Sequence, residues 1–304
     1  MKKLLLITVL FALPFVAIAQ DEEPEAPKDG WTKSGNVGLL FNQAAFNAEW
    51  TGGGTSNYAA NATLTYDANY RQGKLTWDNR LMAEYGITKT RDQEFTRKTN
   101  DRFELNSIVG RQIKETNWYY SWFANFRTQF SNGYEFAEDA MGNEVRTVTT
   151  KFLSPGYFQT GPGILWKKND NLKVNVSPAT LRLIFVDDQF TTFTDPVAAA
   201  AFDEAGGYFG VEANETMRFE FGASLNGYAK FDLMENVTVE NILGLYANYL
   251  EDPQNVDVDY TLNLLLKVNE WITANFTFQA IYDDNAVKGF QIRETLGIGV
   301  GYKF

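Results

Sequence analysis

The chain contains neither histidine nor cysteine. Without an imidazole it lacks the usual general base of hydrolases near neutral pH, which excludes Ser-His and Asp-His mechanisms. Without a thiol it has no disulfide, no cysteine nucleophile and no thiolate metal site. Any chemistry would therefore depend on carboxylates, hydroxyls, lysines and arginines.

A long apolar run occurs only at the start of the chain. Lys2 and Lys3 precede apolar residues 4–18, and Ala17-Ile18-Ala19 has the small side chains of a cleavage site. Residues 1–19 are therefore predicted to be a secretory signal peptide. No other stretch approaches the roughly eighteen apolar residues of a spanning helix, so no helical anchor is expected. No cysteine follows the signal, which excludes a lipoprotein anchor.

Positive charge is also scarce, with 27 lysines and arginines against 38 acidic residues and a net charge of −11. This balance argues against nucleic acid as a partner. Acidic loops would suit contact with lipopolysaccharide through divalent cations. Residues 20–30 are acidic and rich in proline, and we expect a disordered periplasmic lead-in or a solvated tail with no role.

The chain has instead a period-two alternation, which is clearest over residues 291–304. One set of alternate positions is mainly apolar or aromatic, and the other is polar or glycine. The first set comprises Ile292, Glu294, Leu296, Ile298, Val300, Tyr302 and Phe304. This pattern predicts a strand with two unlike faces. A last strand that ends in Phe resembles the C-terminal signal that outer-membrane barrels present to the barrel-assembly machinery, with Tyr302 and Phe304 as its aromatic residues.

Residues 57–70 show the same alternation, with tyrosines near both ends of the apolar face and smaller side chains between them. In a membrane barrel the apolar face contacts lipid and the polar face lines the lumen. Aromatic residues at both ends of the apolar face match the two interfacial girdles of such a barrel.

Following this alternation along the chain predicts twelve strands. They span residues 36–46, 57–70, 75–87, 102–109, 118–129, 157–166, 172–185, 217–233, 237–249, 256–268, 272–282 and 291–304. Short and long connections alternate, as a barrel with both ends in the periplasm requires. The predicted fold is all-β, a single antiparallel 12-stranded transmembrane β-barrel of the outer-membrane type over residues 31–304. A soluble β-sandwich or lipocalin-like barrel is the alternative, but its strands are usually shorter.

Four local features are predicted within this pattern. Residues 131–155 extend the fifth and sixth strands beyond the membrane with a loop between them. A Pro and a slip of phase at Ser177-Pro178-Ala179 indicate a β-bulge. Residues 187–209 form a second long loop with a short helix at 196–202, because an Ala-rich run follows Pro196. Residues 283–290 form a loop before the last strand.

Two sets of motifs are similar to a known family. The first joins Phe46-Asn47-Ala48-Glu49-Trp50-Thr51-Gly52-Gly53-Gly54 to the strand at 77–86. The second joins Phe209-Gly210-Val211, Phe219-Glu220-Phe221-Gly222-Ala223, Ile281-Tyr282-Asp283-Asp284 and Gln291-Ile292-Arg293-Glu294. Together they resemble the Gram-negative outer-membrane family catalogued as domain of unknown function thirty seventy-eight. The resemblance implies an outer-membrane barrel and brings no activity, substrate or catalytic residue.

The candidate functional residues are the charges on the face that the alternation turns inward, since ionisable groups inside a membrane barrel are functional candidates. They are Lys74, Asp78, Arg80, Glu84, Arg102, Glu104, Arg127, Arg218, Glu220, Lys230, Asp257, Asp259, Lys267 and Arg293. One interpretation is a pore with acid facing base at its constriction. The other is a barrel held shut by paired charges.

The size of the predicted barrel excludes a wide porin. Twelve strands about 4.8 Å apart and tilted by about 40° give a barrel with a backbone diameter near 24 Å. Side chains on the inner wall reduce the open width of the lumen to roughly 12 Å. We therefore expect a narrow channel for passive passage of small polar solutes or ions. The alternatives are a non-conducting structural or surface-interaction barrel and, third, an enzyme without His whose carboxylates would be Glu84 and Glu220.

No cofactor or metal is expected. The loop acids Asp187-Asp188, Asp257-Asp259 and Asp283-Asp284 could bind calcium, but none has EF-hand spacing, and solvated loop charge is the simpler interpretation. The expected partners are outer-membrane lipid and lipopolysaccharide, and the barrel-assembly machinery.

Overall fold

The computed structural model describes residues 29–47, 55–283 and 285–304. The predicted signal peptide and residues 20–28 of the predicted lead-in lie outside the described residues. Within this part of the chain the strands are β1 (Gly30–Ala44), β2 (Asn57–Gln72), β3 (Leu75–Thr90), β4 (Arg97–Gln112), β5 (Trp118–Thr128), β6 (Gly133–Glu138), β7 (Glu144–Thr150), β8 (Gly156–Asn169), β9 (Leu172–Phe185), β10 (Met217–Met234), β11 (Val237–Asn248), β12 (Val256–Lys267), β13 (Ile272–Asp283) and β14 (Val287–Lys303). A 3-10 turn spans Asp188–Phe190 and helix α1 spans Pro196–Glu204.

Twelve of these strands close into one barrel, in the order β1-β14-β13-β12-β11-β10-β9-β8-β5-β4-β3-β2, and all neighbouring strands are antiparallel. The ring closes where residues 36–40 of β1 pair with residues 299–303 of β14. The predicted 12-stranded barrel is confirmed. In the described residues, no helix has the length and apolar character to cross a bilayer.

The two ends of the barrel differ in their connections. One end carries Gly30, Phe304 and the short connections 73–74, 113–117, 170–171, 235–236 and 268–271, and we call it the turn end. The other end carries connections 45–56, 91–96, 129–155, 186–216 and 249–255 and the short connection 284–286, and we call it the loop end.

The predicted loop at 283–290 is wrong. β14 begins at Val287, which pairs with Asp283 of β13, so residues 284–286 alone connect the two strands. The backbone carbonyl of Asp283 accepts from Ala286 N at 3.1 Å, and its carboxylate accepts from Asn285 N at 3.2 Å. These bonds close a tight turn, so both strands continue further than the alternation of side chains indicated.

The predicted extension of two barrel strands through residues 131–155 is also wrong. β6 and β7 form a two-stranded sheet of their own. The carboxylate of Asp101 accepts from the backbone N–H groups of Phe130 (2.7 Å) and Ser131 (2.9 Å), which removes these donors from the barrel ladder. The strand therefore ends there, and a separate hairpin begins two residues later.

Two other local predictions are confirmed. Gly222 of β10 pairs with Thr180 of β9, but Ser224 pairs with Ser177, so β9 carries one extra residue at the predicted bulge. Helix α1 begins after Asp195, whose carboxylate accepts from Val197 N at 3.0 Å.

The outer surface of the barrel is apolar and aromatic. At the turn end, Trp31, Trp118, Trp271 and Tyr302 are each at least half exposed. Tyr58, Tyr85, Phe219 and Tyr249 are exposed near the loop end, and Leu39, Leu105, Leu296 and Ile298 lie between the two groups. This is the lipid-facing surface of an outer-membrane barrel with its two aromatic girdles.

Two indole N–H groups on this surface are satisfied within the wall. Trp77 Nε1 donates to Ser107 Oγ at 2.9 Å, and Trp122 Nε1 donates to Thr160 Oγ1 at 2.9 Å. A bilayer provides no water for these donors, so the wall itself supplies their acceptors.

Candidate functional site

The interior of the barrel is its charged part. Period two places the even-numbered residues of β3 and β11 and the odd-numbered residues of β12 inside, while their neighbours contact lipid. Asp78 (3% exposed), Lys167 (2%) and Glu220 (1%) are among the most buried side chains of the described chain. Buried charges of this kind are stable only when they are paired and hydrogen-bonded.

One ion pair crosses the lumen from wall to wall. Arg80 Nη2 lies 2.6 Å from Glu240 Oε1, although β3 and β11 stand six places apart in the ring of twelve and so face each other across the barrel. Glu240 also accepts from the Tyr228 hydroxyl at 2.7 Å and from Asn263 Nδ2 at 3.0 Å. The guanidinium carbon of Arg80 lies 4.8 Å from the centre of the Tyr228 ring.

A second set of charges also crosses the lumen. Asp259 of β12 pairs with Arg127 of β5, and its Oδ2 lies 3.6 Å from Arg102 Nη2 of β4, the strand directly opposite β12. Gln279 Nε2 donates to Asp259 Oδ1 at 3.1 Å, and Arg102 Nε donates to Glu104 Oε2 at 2.7 Å. We call Arg80, Glu240, Arg102, Arg127 and Asp259 the lumen septum.

Two further networks lie on either side of the lumen septum. Towards the turn end, Asp78 Oδ2 accepts from Lys167 Nζ at 2.7 Å and from Lys173 Nζ at 3.0 Å. Towards the loop end, Arg182 pairs with Asp257, with Asp283 at 3.0 Å and with Glu220 at 3.5 Å. Both networks fill space between the walls with paired charges of opposite sign.

The β9–β10 connection covers the loop end of the lumen. Val211 is fully buried and forms an apolar cluster with Tyr157 and Ile184, against which Tyr208 and Phe209 pack. Inside the barrel mouth, Arg218 Nη1 donates to the carbonyl oxygen of Gly210 at 2.9 Å. We call residues 186–216 the loop cap.

Two titratable side chains of the loop cap contact the connection that contains β6 and β7. The Tyr208 hydroxyl donates to the backbone oxygen of Thr149 at 2.5 Å, and burial raises the pKa of this hydroxyl. Asp187 pairs with Lys151 at 2.6 Å, and the Lys151 hydrogen bond lowers the pKa of the Asp187 carboxyl.

A cavity of about 320 Å³ remains among these side chains. Charged residues of both signs line it, together with asparagines, Tyr228, Tyr246 and a few apolar side chains. The charged residues are Asp67, Asp78, Arg80, Arg102, Glu104, Arg127, Asp170, Lys173, Arg182, Lys230, Asp257, Asp259 and Asp283.

Most of the residues chosen from sequence lie in this interior. Beyond those already placed, Arg293 Nη2 donates to Gln279 Oε1 at 3.1 Å and lies 3.5 Å from Glu84 Oε2, and Arg218 Nε lies 2.8 Å from Glu220 Oε1. Lys74 in the β2–β3 turn and Lys267 at the end of β12 are exposed at the turn end instead. Whether any of them acts in passage stays a prediction.

Sequence reasoning missed several charges of the interior. Lys173, Arg182 and Glu240 occupy inward positions that the alternation of their strands already indicated. Lys167 follows the predicted strand 157–166, in a turn of charged and amide residues, and Asp283 begins the predicted loop 283–290, so neither is predicted to face the lumen. The sequence could not predict which residues pair across the lumen, because strands on opposite sides of a barrel share no local sequence pattern.

The two residues of the predicted assembly signal lie at the closing seam. The Phe304 ring covers Gly35 of β1, where a Cβ would clash with the ring. Phe304 and Gly35 exchange two backbone hydrogen bonds of 2.8 and 3.0 Å. Tyr302 and Tyr66 stack beside the Phe304 ring, with centroids 6.1 and 6.3 Å away.

Four of the acids proposed for calcium pair with basic side chains: Asp257 and Asp283 share Arg182, Asp259 pairs with Arg127, and Asp187 pairs with Lys151. Asp257 and Asp259 lie on β12 and pair with arginines, and Asp284 lies outside the described residues. In the described ranges, no group of three or more acidic side chains is arranged to hold a metal ion.

Residues 41–134 match the model of the family described as "Protein of unknown function (DUF3078)". The match confirms the resemblance noted from the sequence and contains the first of its two sets of motifs. The second set, from residue 209 onwards, lies beyond the matched residues. A comparison with curated proteins finds no significant match.

Solved structures with a similar architecture are outer-membrane barrels. The translocator domain of the autotransporter NalP from Neisseria meningitidis is 9% identical, with 100% of this chain and 98% of that chain covered and a TM-score of 0.40. An outer-membrane channel from Pseudomonas putida F1 is 11% identical, with coverages of 94% and 100% and a TM-score of 0.39. The outer-membrane channel DcaP of Acinetobacter baumannii is 8% identical, with coverages of 90% and 96% and a TM-score of 0.31. At these values the similarity carries no information on function.

Proposed function

We propose that the protein is a narrow, normally closed channel for passive passage of small polar solutes or ions across the outer membrane of a Gram-negative cell. The observation that supports this function is the cavity of about 320 Å³ lined by charges of both signs inside a transmembrane wall. Ionisable groups that face the interior of a membrane protein commonly mark solute and ion pathways.

The resting state of this channel is closed. The lumen septum joins opposite walls through Arg80 with Glu240 and through Arg127 and Arg102 with Asp259. The loop cap covers the loop end. Passage requires these pairs to separate, so openings are rare and the conductance is low.

The orientation and partners form part of the same proposal. The turn end, with both described ends of the chain, faces the periplasm, and the loop end faces outward. The apolar outer surface contacts lipid, the acidic loops contact lipopolysaccharide through divalent cations, and the C-terminal strand with Tyr302 and Phe304 contacts the assembly machinery.

The first test is the electrical activity of the mature chain, residues 20–304, refolded into a planar bilayer. We expect infrequent, discrete steps whose size depends on salt concentration, and a liposome-swelling assay that admits small neutral sugars and excludes larger ones. A correctly folded barrel that is silent in both assays contradicts a channel that opens under these conditions.

A second candidate is a structural or surface-interaction barrel without a conducting pore. The specific observation in its favour is the lumen septum itself, because paired buried charges fill a barrel as well as they gate one. Deleting residues 133–150 would then abolish surface binding while leaving the barrel folded.

An enzyme is the least supported function. The two carboxylates considered for catalysis are both engaged: Glu220 accepts from Arg218, and Glu84 accepts from Asn100 and lies near Arg293. Turnover of a lipid or peptide that Glu220→Gln abolishes would nevertheless establish this function.

A further inference from the structure

One short stretch of the barrel wall lacks a side chain where its neighbours have large ones. Gly244 of β11 faces the lumen between Ile242 and Tyr246, and it pairs with Asn226 of β10 and Asp259 of β12. The atoms nearest to a Cβ at Gly244 would be Asp259 O at 3.8 Å and Asn226 Oδ1 at 3.9 Å. The wall therefore has a notch at Gly244, and it opens into the cavity.

Two residues that neighbour Gly244 in the wall and line the cavity carry unused hydrogen-bond donors. The hydroxyl of Tyr246 and Nδ2 of Asn226 are both buried and, among the described residues, have no hydrogen-bond partner. Tyr246 is 4% exposed, and the guanidinium carbon of Arg182 lies 4.8 Å from the centre of its ring, which fixes the ring against the wall. Buried donors without acceptors are uncommon and call for a ligand or water.

The charges around the notch already have partners. Asp259 pairs with Arg127, Arg182 pairs with Asp257 and Asp283, and Arg80 is bound to Glu240. The cavity lining as a whole is nearly balanced, with six basic and seven acidic side chains, so a charged ligand would add a charge that the site does not offset. A neutral ligand with hydroxyl groups avoids this cost, because each hydroxyl accepts from a wall donor and donates to a carboxylate lone pair.

We propose that the notch at Gly244 and the adjoining cavity bind a small uncharged polyhydroxylated solute of monosaccharide size. The Tyr246 hydroxyl and the Asn226 amide donate to its oxygens, and Asp259 accepts from it. The cavity of about 320 Å³ lies at the small end of ligand-binding pockets.

If the protein is a channel, this site identifies the class of solute that it carries. The biological role of the site therefore rests on the proposed function. The binding step itself does not depend on passage. Binding and conductance can therefore fail independently.

The test uses the mature chain folded in detergent micelles and three probes of similar size: neutral D-glucose, anionic D-gluconate and cationic D-glucosamine. Saturation-transfer NMR and calorimetric titration measure their binding. We expect D-glucose to bind and each charged analogue to bind at least about tenfold more weakly, a difference of about 1.4 kcal/mol.

Three variants locate the site. Tyr246→Phe removes one hydrogen-bond donor and should weaken D-glucose binding about three- to tenfold. Gly244→Leu fills the notch and should abolish binding. Gly301→Ala is the matched control, because Gly301 is an interior glycine away from the cavity with its nearest contact for a Cβ at 3.4 Å, and it should bind as the wild type does.

The proposal is overturned if wild-type protein shows no transfer to D-glucose, which would leave the cavity as a water site only. Equal affinity in Tyr246→Phe or tighter binding of a charged analogue also overturns it, and neither result depends on Gly244→Leu folding. If the protein binds D-glucose but does not conduct, the proposed channel function is wrong and the binding site stands. If it conducts but does not bind D-glucose, the channel function stands and the proposed binding site is wrong.

Discussion

At the scale of single residues, the interior of this barrel depends on complete pairing of charge. Asp78 accepts from two lysines while only 3% of its surface is exposed. A buried ion pair adds little net stability over an apolar pair, but removing one partner leaves the other charge buried and unpaired. The consequences of a mutation therefore depend on whether one or both partners are changed.

Asp78→Asn should lower the free energy of unfolding by about 2–3 kcal/mol, because Lys173 loses its carboxylate partner and Lys167 keeps only Asp170, at 2.7 Å. Urea-induced unfolding in detergent, followed by tryptophan fluorescence, measures this loss. Glu235→Gln, in the exposed β10–β11 turn, is the control and should change stability little. A loss below about 1 kcal/mol for Asp78→Asn would show that the lysines are compensated by other groups.

At the scale of strands, the barrel has a weak seam. β1 pairs with β2 along its whole length from Gly30 to Ala44, but with β14 only over residues 36–40. The Phe304 ring on Gly35 extends this short contact, because glycine alone allows the ring to approach the strand so closely. Closure of the barrel therefore depends on this ring and the aromatic residues beside it.

Gly35→Ala should displace the Phe304 ring and lower the temperature at which the folded barrel loses its fast migration in SDS gels. Phe304→Ala should do the same. Since both changes break one contact, their effects should be clearly less than additive in the double variant. Additive effects would show that Gly35 and Phe304 stabilise the seam independently.

The loop cap depends on contacts that pH can change. The Tyr208 hydroxyl has a raised pKa because it is buried, so the stability that it contributes is fully present below the ordinary tyrosine pKa of about 10 and is lost as pH rises through the higher folded value. Asp187 has a lowered pKa through Lys151, so its contribution is present above its ordinary pKa of about 3.9 and is lost as pH falls further. The loop cap should be most stable between these limits.

Tyr208→Phe should increase amide hydrogen exchange in residues 186–216 about threefold or more near neutral pH, because the bond to the Thr149 oxygen is lost. Tyr58→Phe, on the lipid-facing side at the loop end, should leave exchange in this loop unchanged. Unaltered exchange in Tyr208→Phe would assign closure of the loop cap to the apolar cluster around Val211 instead.

At the scale of the whole molecule, the barrel and its twelve strands could be predicted because alternation is a local property that each strand carries by itself. The bulge near Pro178 could also be predicted, since Pro and a slip of phase occur together. The tight β13–β14 turn and the separate β6–β7 hairpin could not, because Asp283 and Asp101 form them through hydrogen bonds that no periodicity shows.

For the interior residues, the inward direction could be predicted from the sequence but the ion-pair partners could not. Their inward direction follows from period two, as for Arg80 and Asp259. Their partners follow from the position of each strand in the closed ring and from the tilt of the strands, which places Arg80 against Glu240, 160 residues further along the chain. Whether the barrel is open or closed depends on these partners. The sequence alone therefore cannot distinguish an open pore from a barrel held shut by paired charges.

The most direct measurement is single-channel conductance of a variant in which the lumen septum is removed in matched pairs, Arg80→Ala with Glu240→Ala and Arg127→Ala with Asp259→Ala. Removing whole pairs leaves Arg102 with Glu104, and the carboxylate that loses a contact is Asp67, which lies 3.8 Å from Arg80 and is about one third exposed. Lys114→Ala with Glu115→Ala, a charge-neutral double change of exposed residues in the β4–β5 turn, is the control. We predict a several-fold larger conductance than in the wild type and the control. A folded septum variant that conducts no more than the wild type would contradict the claim that these ion pairs hold a channel closed.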